Sequence, residues 1–185
     1  MRSELSDRLL TIDAVLSPDE CQAMVERAES TGFDKATINA WDGPCVDLKT
    51  RDNDRVIFDD INLARELWER VRGKIKPIRA GRQVRGLNVR FRCCRYAPGQ
   101  KFAWHSDGPF QRDNGEISLL TFMIYLNGGY QGGETRFEWT EVEGRAGMAL
   151  VFEHGLIHEG AQLTGGVKYV LRSDVMFGRI GQYAG

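Results

Sequence analysis

From Gly86 onward the chain is cut into short β-forming runs by glycine-rich turns, and no other pattern limits its fold so strongly. The runs cover 87–96, 118–126, 135–139, 148–152 and 167–177. A strand buries one face readily, but its unpaired edges invite association with other chains. Many strands at short spacing therefore wrap into two facing sheets, as a sandwich or jelly roll. The first 80 residues read differently. Ser17-Pro18-Asp19-Glu20 supplies an N-cap, a proline at the first helical position and a capping-box glutamate, followed by Met24, Val25 and Ala28 at helical spacing. A second helix is predicted from about Asn62 to Lys74, with Leu63, Leu67, Val71 and Ile75 forming one buried stripe. With 185 residues and no repeat or Pro/Ser-rich linker, the expectation is one domain: a helical flank with supporting strands over 1–85 and a β-rich core over 86–180.

Composition narrows the partners. A net charge of -1 and no run of Lys or Arg argue against nucleic acid, so a small molecule, a peptide or a protein is the expected substrate. No apolar stretch approaches the roughly 20 residues that span a bilayer, and the N-terminus has no apolar signal core. A soluble, cytoplasmic protein without a membrane partner is expected. Cys21, Cys45, Cys93 and Cys94 form neither a disulfide framework nor a C-x-x-C pair, and are expected to be reduced.

His105-Ser106-Asp107 places an imidazole and a carboxylate two residues apart, and in an extended segment such residues project to the same face. Both can reach one ion. A third ligand has to come from His154 or His158, the only other histidines. Two histidines and one carboxylate fill one face of an octahedral iron and leave three positions open. His154 and His158, four apart, could instead be half of a helical zinc-hydrolase site. Gly155 stands where that motif requires glutamate, however, and 147–152 reads as a buried strand. Periodicity does not choose between the two histidines, because they have the same parity along a strand.

Further motifs follow in a fixed order. Tyr96-Ala97-Pro98-Gly99 and Phe102 precede His105-Ser106-Asp107, and Thr121 and Tyr125-Leu126-Asn127 come next. Gly132-Gly133-Glu134-Thr135-Arg136-Phe137 and the run 147–152 lead to His158-Glu159-Gly160, then Gly166-Val167-Lys168-Tyr169 and Arg172-Ser173-Asp174-Val175. Taken together, the segment 95–177 resembles the catalytic domain of the prolyl 4-hydroxylase-like Fe(II)/2-oxoglutarate dioxygenases. Leu9-Leu10-Thr11-Ile12-Asp13 and the capped helix are similar to that family's opening. The resemblance implies a mainly β fold with flanking α-helices around a double-stranded β-helix (jelly roll, cupin-like) core. It implies Fe(II) held by His105, Asp107 and His158, with His154 a hydrogen-bonding or substrate-facing neighbour. Lys168 would pair with the distal carboxylate of 2-oxoglutarate, with Tyr96, Thr121 and Tyr125 around the co-substrate. Physically, a dicarboxylate entering an apolar barrel needs its far charge compensated. The implied activity is hydroxylation of a C–H bond by O2, with release of succinate and CO2 and with ascorbate as a candidate reductant. The implied substrate is a prolyl residue or a related amino acid or peptide. A non-peptide metabolite is the alternative, and a zinc hydrolase or a noncatalytic jelly-roll binding module the remaining ones.

Gly132-Gly133-Glu134-Thr135 reads as a structural turn, since no phosphate-binding helix follows it. Counting by two from Lys168 brings Val170, Arg172 and Asp174 to its face, and counting back from Tyr96 brings Arg92, Arg90 and Asn88 to that of Tyr96. Arg172 and Arg92 are thus candidates to bind an anionic group of the substrate; the competing reading pairs Arg172 with Asp174. Segments 38–53 and 108–115, without periodicity and beside the expected site, are candidate lids.

Overall fold

The computed structural model describes residues 8–181 other than 41, 42, 46 and 48, with the backbone alone at 38–40 and 43–45. Two helices, α1 (Pro18–Thr31) and α2 (Ile61–Val71), accompany the strands β1 (Leu9–Ile12), β2 (Asp54–Asp59), β3 (Arg82–Leu87), β4 (Arg90–Tyr96), β5 (Phe102–His105), β6 (Ile117–Tyr125), β7 (Thr135–Phe137), β8 (Thr140–Val142), β9 (Ala149–Glu153), β10 (His158–Gly160) and β11 (Lys168–Arg179). The large sheet runs β1-β9-β6-β11-β4-β2, closes on the short strand Asp34–Lys35, and carries β3 on the C-terminal half of β11. A small sheet, β8-β7-β10-β5, faces it. All pairings are antiparallel. This is the expected jelly roll with helices outside.

Alternation along the strands separates two interiors. One parity, with Leu171, Val175 and Phe177 of β11, Leu120, Phe122 and Ile124 of β6, Phe91 and Cys93 of β4, and Val151 of β9, packs beneath the helices. There it meets Cys21, Met24 and Ala28 of α1 and Ala64, Leu67 and Val71 of α2. The other parity, with Val170, Tyr125, Leu150 and Phe152, meets Phe137 of the small sheet in a second cluster. The functional side chains stand on this second parity.

The helix signals are realised: Ser17 Oγ accepts from Glu20 N, and Glu20 returns a bond to Ser17 N. Three expectations are corrected. The second helix is α-helical only to Val71, and Arg72–Lys74 tightens into a 3-10 turn at Gly73, the poorest helix former in the run. The run 87–96 is two strands, because Leu87 ends β3 and Asn88-Val89 turns into β4. The run 135–139 leaves the strand after Phe137 and turns. The candidate lid 38–53 lies partly outside the described residues. Its strands Ile38–Ala40 and Gly43–Cys45 pair with each other, and Arg51 bridges to Phe102.

Gly147 ties the N-terminal segment to the barrel. Its carbonyl accepts from Val15 N at 2.8 Å and its N–H donates to Tyr125 O at 2.8 Å, with φ at +78°. A Cβ there would lie 2.0 Å from the Leu16 carbonyl oxygen. Gly147→Ala is therefore expected to destabilise the fold by about 2 kcal/mol or more, through positive-φ strain added to a backbone clash. Thermal unfolding should report this as a fall in Tm of at least roughly 4 °C.

Candidate metal and co-substrate site

His105 ends β5, and His158 opens β10 directly opposite it in the antiparallel ladder. The register alone sets the two imidazoles side by side, with ring centroids 4.2 Å apart. Each Nδ1 donates to a carbonyl two residues back, His105 to Ala103 at 2.7 Å and His158 to Leu156 at 2.8 Å. These bonds fix the tautomer and leave Nε2 as the lone-pair atom on both rings. His105 Nε2 lies 3.6 Å and His158 Nε2 3.8 Å from the oxygens of Asp107, too far for hydrogen bonds. His105 Nε2 is buried with no partner among the described residues. An orphaned lone pair converging with a second imidazole and a carboxylate, all within 4.8 Å, is a donor set that fits an ion. Burial holds the His158 imidazolium down to a pKa of about 4, so at neutral pH its lone pair is free. Phe102 stacks on His105 at 3.6 Å, and Phe152 meets His158 at 4.6 Å, which keeps the site apolar around its ligating atoms.

Asp107 crosses from the loop after β5 to the large sheet. Its N–H donates to His154 O at 2.9 Å, Arg172 Nη2 donates to its Oδ1 at 2.7 Å, and Thr121 Oγ1 donates to its Oδ2. Burial alone would raise its pKa, but the charge of Arg172, then the nearby His105 and His158, and the Thr121 hydroxyl hold the carboxyl well below its usual range. Since Thr121 gives its proton to Asp107, His154 Nδ1–H must donate to Thr121 Oγ1 at 2.9 Å. His154 Nε2 then accepts from Ser118 Oγ at 2.9 Å, and Ser118 in turn accepts from Phe110 N. Both ring nitrogens of His154 are spent. It is a link in a chain that orients the carboxylate, on a turn rather than on the helix that a zinc-hydrolase motif requires.

Lys168 stands at the other end of the same cavity, 3% exposed. Its Nζ donates to Gly133 O at 2.5 Å and lies 5.4 to 5.9 Å from the ring centroids of Tyr125, Tyr96 and Tyr130. Among the described residues no carboxylate forms an ion pair with it, and burial lowers its pKa to about 8. The turn 132–135 thus does more than reverse the chain: Gly132 and Gly133, both at positive φ, aim a carbonyl at the ammonium. The Tyr125 hydroxyl is bonded to Thr135 Oγ1 at 2.7 Å, so that its ring, rather than its oxygen, faces Lys168.

Tyr96, His105, Asp107, Thr121, His158, Lys168 and Arg172 all line one cavity; Tyr125 packs beside it through Lys168. Arg92 pairs with Asp174 at 3.5 Å, so the anticipated partner of Arg172 belongs to Arg92, while Arg172 holds Asp107. Arg51, Cys94 and Met123 also line the cavity and carried no sequence signal of their own, and Thr135, read only as part of a structural turn, lines it too. For Met123 and Thr135, strand parity from Tyr125 and Phe137 would have found them.

The profile of the 2OG-Fe(II) oxygenase superfamily matches residues 91–173. Among solved structures, the fold is similar to a viral collagen prolyl hydroxylase from Paramecium Bursaria Chlorella virus-1 in complex with 2OG (20% identity, TM-score 0.64, covering 91% of this chain and 96% of that one). It is similar also to a Pseudomonas putida prolyl-4-hydroxylase (18% identity, TM-score 0.68, 94% and 95% covered). A third is a Trichoplax adhaerens prolyl hydroxylase in complex with a hypoxia inducible factor peptide fragment (15% identity, TM-score 0.70, 94% and 86% covered). No curated protein sequence matches.

If the three convergent residues are the ligands, His105→Ala, Asp107→Ala and His158→Ala should each abolish Mn(II) binding measured by calorimetry. His154→Ala should weaken it by only about 10- to 100-fold, the usual effect of a group that orients a ligand.

Proposed function

We propose, from the premise that residues 91–173 form a domain of the 2OG-Fe(II) oxygenase superfamily, that the chain hydroxylates a C–H bond of a prolyl residue or a related amino acid or peptide. Iron is held in this reading by His105, Asp107 and His158, and the far carboxylate of 2-oxoglutarate by Lys168. The observation that carries it is a buried ammonium without a counter-ion among the described residues, in the same cavity as three convergent candidate ligand atoms. A buried unpaired cation is costly, and a dicarboxylate reaching from that cation to the metal removes the cost. A noncatalytic binding module has no use for both features at once.

Bound iron and 2-oxoglutarate supply oxygen activation, one oxygen atom leaving in succinate alongside CO2 and the other entering the substrate, with ascorbate as a candidate reductant. The chain's own residues do the positioning. Arg172 and Thr121 engage the two oxygens of Asp107 and restrict its rotation, while the backbone carbonyls of Ala103 and Leu156 fix both imidazoles. Phe102, Phe137 and Phe152 exclude water beside the ligands. Lys168 compensates the far carboxylate of the entering dianion and sets its direction. The apolar side of the cavity, Met123 and Val170, suits the methylene carbons between the two carboxylates.

Succinate release should require Fe(II), O2 and 2-oxoglutarate together, and Asp107→Ala should lower it by at least about 100-fold. Zinc-supported turnover without oxygen would contradict the assignment. The affinity for 2-oxoglutarate should also fall with rising pH. Lys168 is depressed to about 8 in the free protein, so binding a dianion, which needs the charged form, must take up a proton above that pH. KM for 2-oxoglutarate is then expected to rise about tenfold per pH unit above about 8, up to the higher pKa of the complex. Lys168→Arg, which cannot lose its proton in this range, should flatten that rise.

A further inference from the structure

Arg51, Arg55, Arg92 and Arg172 gather on the cavity side of the large sheet and its approach. Arg172 and Arg92 are opposite each other in the β11–β4 ladder, Arg55 is opposite Cys94 in the next, and Arg51 lines the cavity from the segment before β2. Their partners are unequal. Arg92 has Asp174, and Arg172 has Asp107. Arg51, only 6% exposed, is held by neutral groups: Asn53 Oδ1 at 2.7 Å, Cys94 Sγ at 3.4 Å and the Phe102 ring at 4.5 Å. Arg55 donates to Thr37 Oγ1 at 2.5 Å. Among the described residues no carboxylate ion-pairs with either. Burial, followed by the charges of Arg51, Arg92 and Arg172, pushes the Arg55 guanidinium below its ordinary range. Arg172 Nε, buried in the cavity wall, has no hydrogen-bond acceptor among the described residues.

Charge accounting sharpens the point. In the oxygenase reading, the two positive charges of iron and the one of Lys168 are balanced by Asp107 and the two carboxylates of the co-substrate. Asp107 then no longer neutralises Arg172. Among the described residues Arg51 and Arg55 have no carboxylate partner, and Arg172 shares its own with the metal site, an arrangement of partly dehydrated guanidiniums that is costly unless something negative enters. A planar fork of donors matches a carboxylate. Arg172 touches the carboxylate of the candidate metal site itself, so an anion held by its guanidinium would lie beside that site.

We propose, resting on the oxygenase reading above, that the substrate is a small carboxylic acid of the free amino acid type, its carboxylate bound between Arg51 and Arg172 with Arg55 adding to the field. The internal residue of a peptide presents a neutral amide there and would leave the guanidiniums unpaired. Arg92, committed to Asp174 and set behind the cavity lining, is not the anchor of this subsite.

The test is calorimetry under anaerobic conditions on protein loaded with Mn(II) and 2-oxoglutarate, titrated with free amino acids and their carboxamides at up to millimolar concentrations. At least one acid is expected to bind about tenfold or more tightly than its amide. Arg51→Met should weaken that acid about tenfold, and Arg55→Met, nearer the surface and less demanding of the fold, about threefold. The Kd of 2-oxoglutarate should move less than about threefold in either variant. Amides that bind as well as acids, no acid that binds, or a loss in Arg51→Met that falls on 2-oxoglutarate instead would each overturn the proposal. A parent protein that takes up no 2-oxoglutarate would overturn the oxygenase reading with it; uptake without a preference for acids overturns this inference alone.

Discussion

Asp107 is the residue on which the two sheets agree. It leaves the small sheet just after His105, and its two oxygens are received on the large sheet by Arg172 and Thr121. A carboxylate so deeply buried is tolerable only with those partners; removing one member of such a pair typically costs about 3–5 kcal/mol, a large share of a domain's net stability. The same contacts that make the burial possible aim the carboxylate at His105 Nε2 and His158 Nε2. Stability and ligand geometry are therefore not separate properties here. The relay from Thr121 through His154 to Ser118 extends this logic, leaving no donor or acceptor of that chain unsatisfied and using a histidine as a prop.

Lys168 obeys the opposite rule. Its ammonium has a carbonyl and three aromatic faces but no counter-charge among the described residues, and cation–π contacts of about 0.5–2 kcal/mol each only soften the desolvation. The barrel has placed one charge where it is satisfied and another where it waits. The waiting ammonium and the guanidinium that satisfies Asp107 sit on one strand: β11 sends Lys168, Val170, Arg172 and Asp174 inward and Tyr169, Leu171 and Val175 toward the helices. A one-residue slip of register would exchange the core for the site.

That alternation explains what could be read from the sequence. Counting by two put Lys168, Val170 and Arg172 on one face, and the run of short strands with glycine turns announced a two-sheet β fold with capped helices beside it. His105-x-Asp107 was legible as a pair of candidate ligands because an extended segment brings such residues together. The choice of His158 over His154 was not legible in spacing, since they share parity. It becomes physical only with the hydrogen bonds, which occupy both nitrogens of His154 and leave Nε2 of His158 free. Arg51 was missed because it lies in a segment without periodicity, and its approach to the cavity depends on a single bridge to Phe102. The partner of Arg172 was missed because Asp174 is near in sequence while Asp107 is near in space.

The central claim is that the three ligands and Lys168 serve one molecule. Anaerobic titration of Fe(II)-loaded protein with 2-oxoglutarate, followed by the visible charge-transfer absorption of the chelate, tests it directly in the parent and in Lys168→Met. The account predicts a band in both at saturation, with the variant needing about 30-fold or more co-substrate to reach half its amplitude, the usual consequence of removing one partner of a buried charge pair. No band in the parent, or half-amplitude at the same concentration in both proteins, would contradict it.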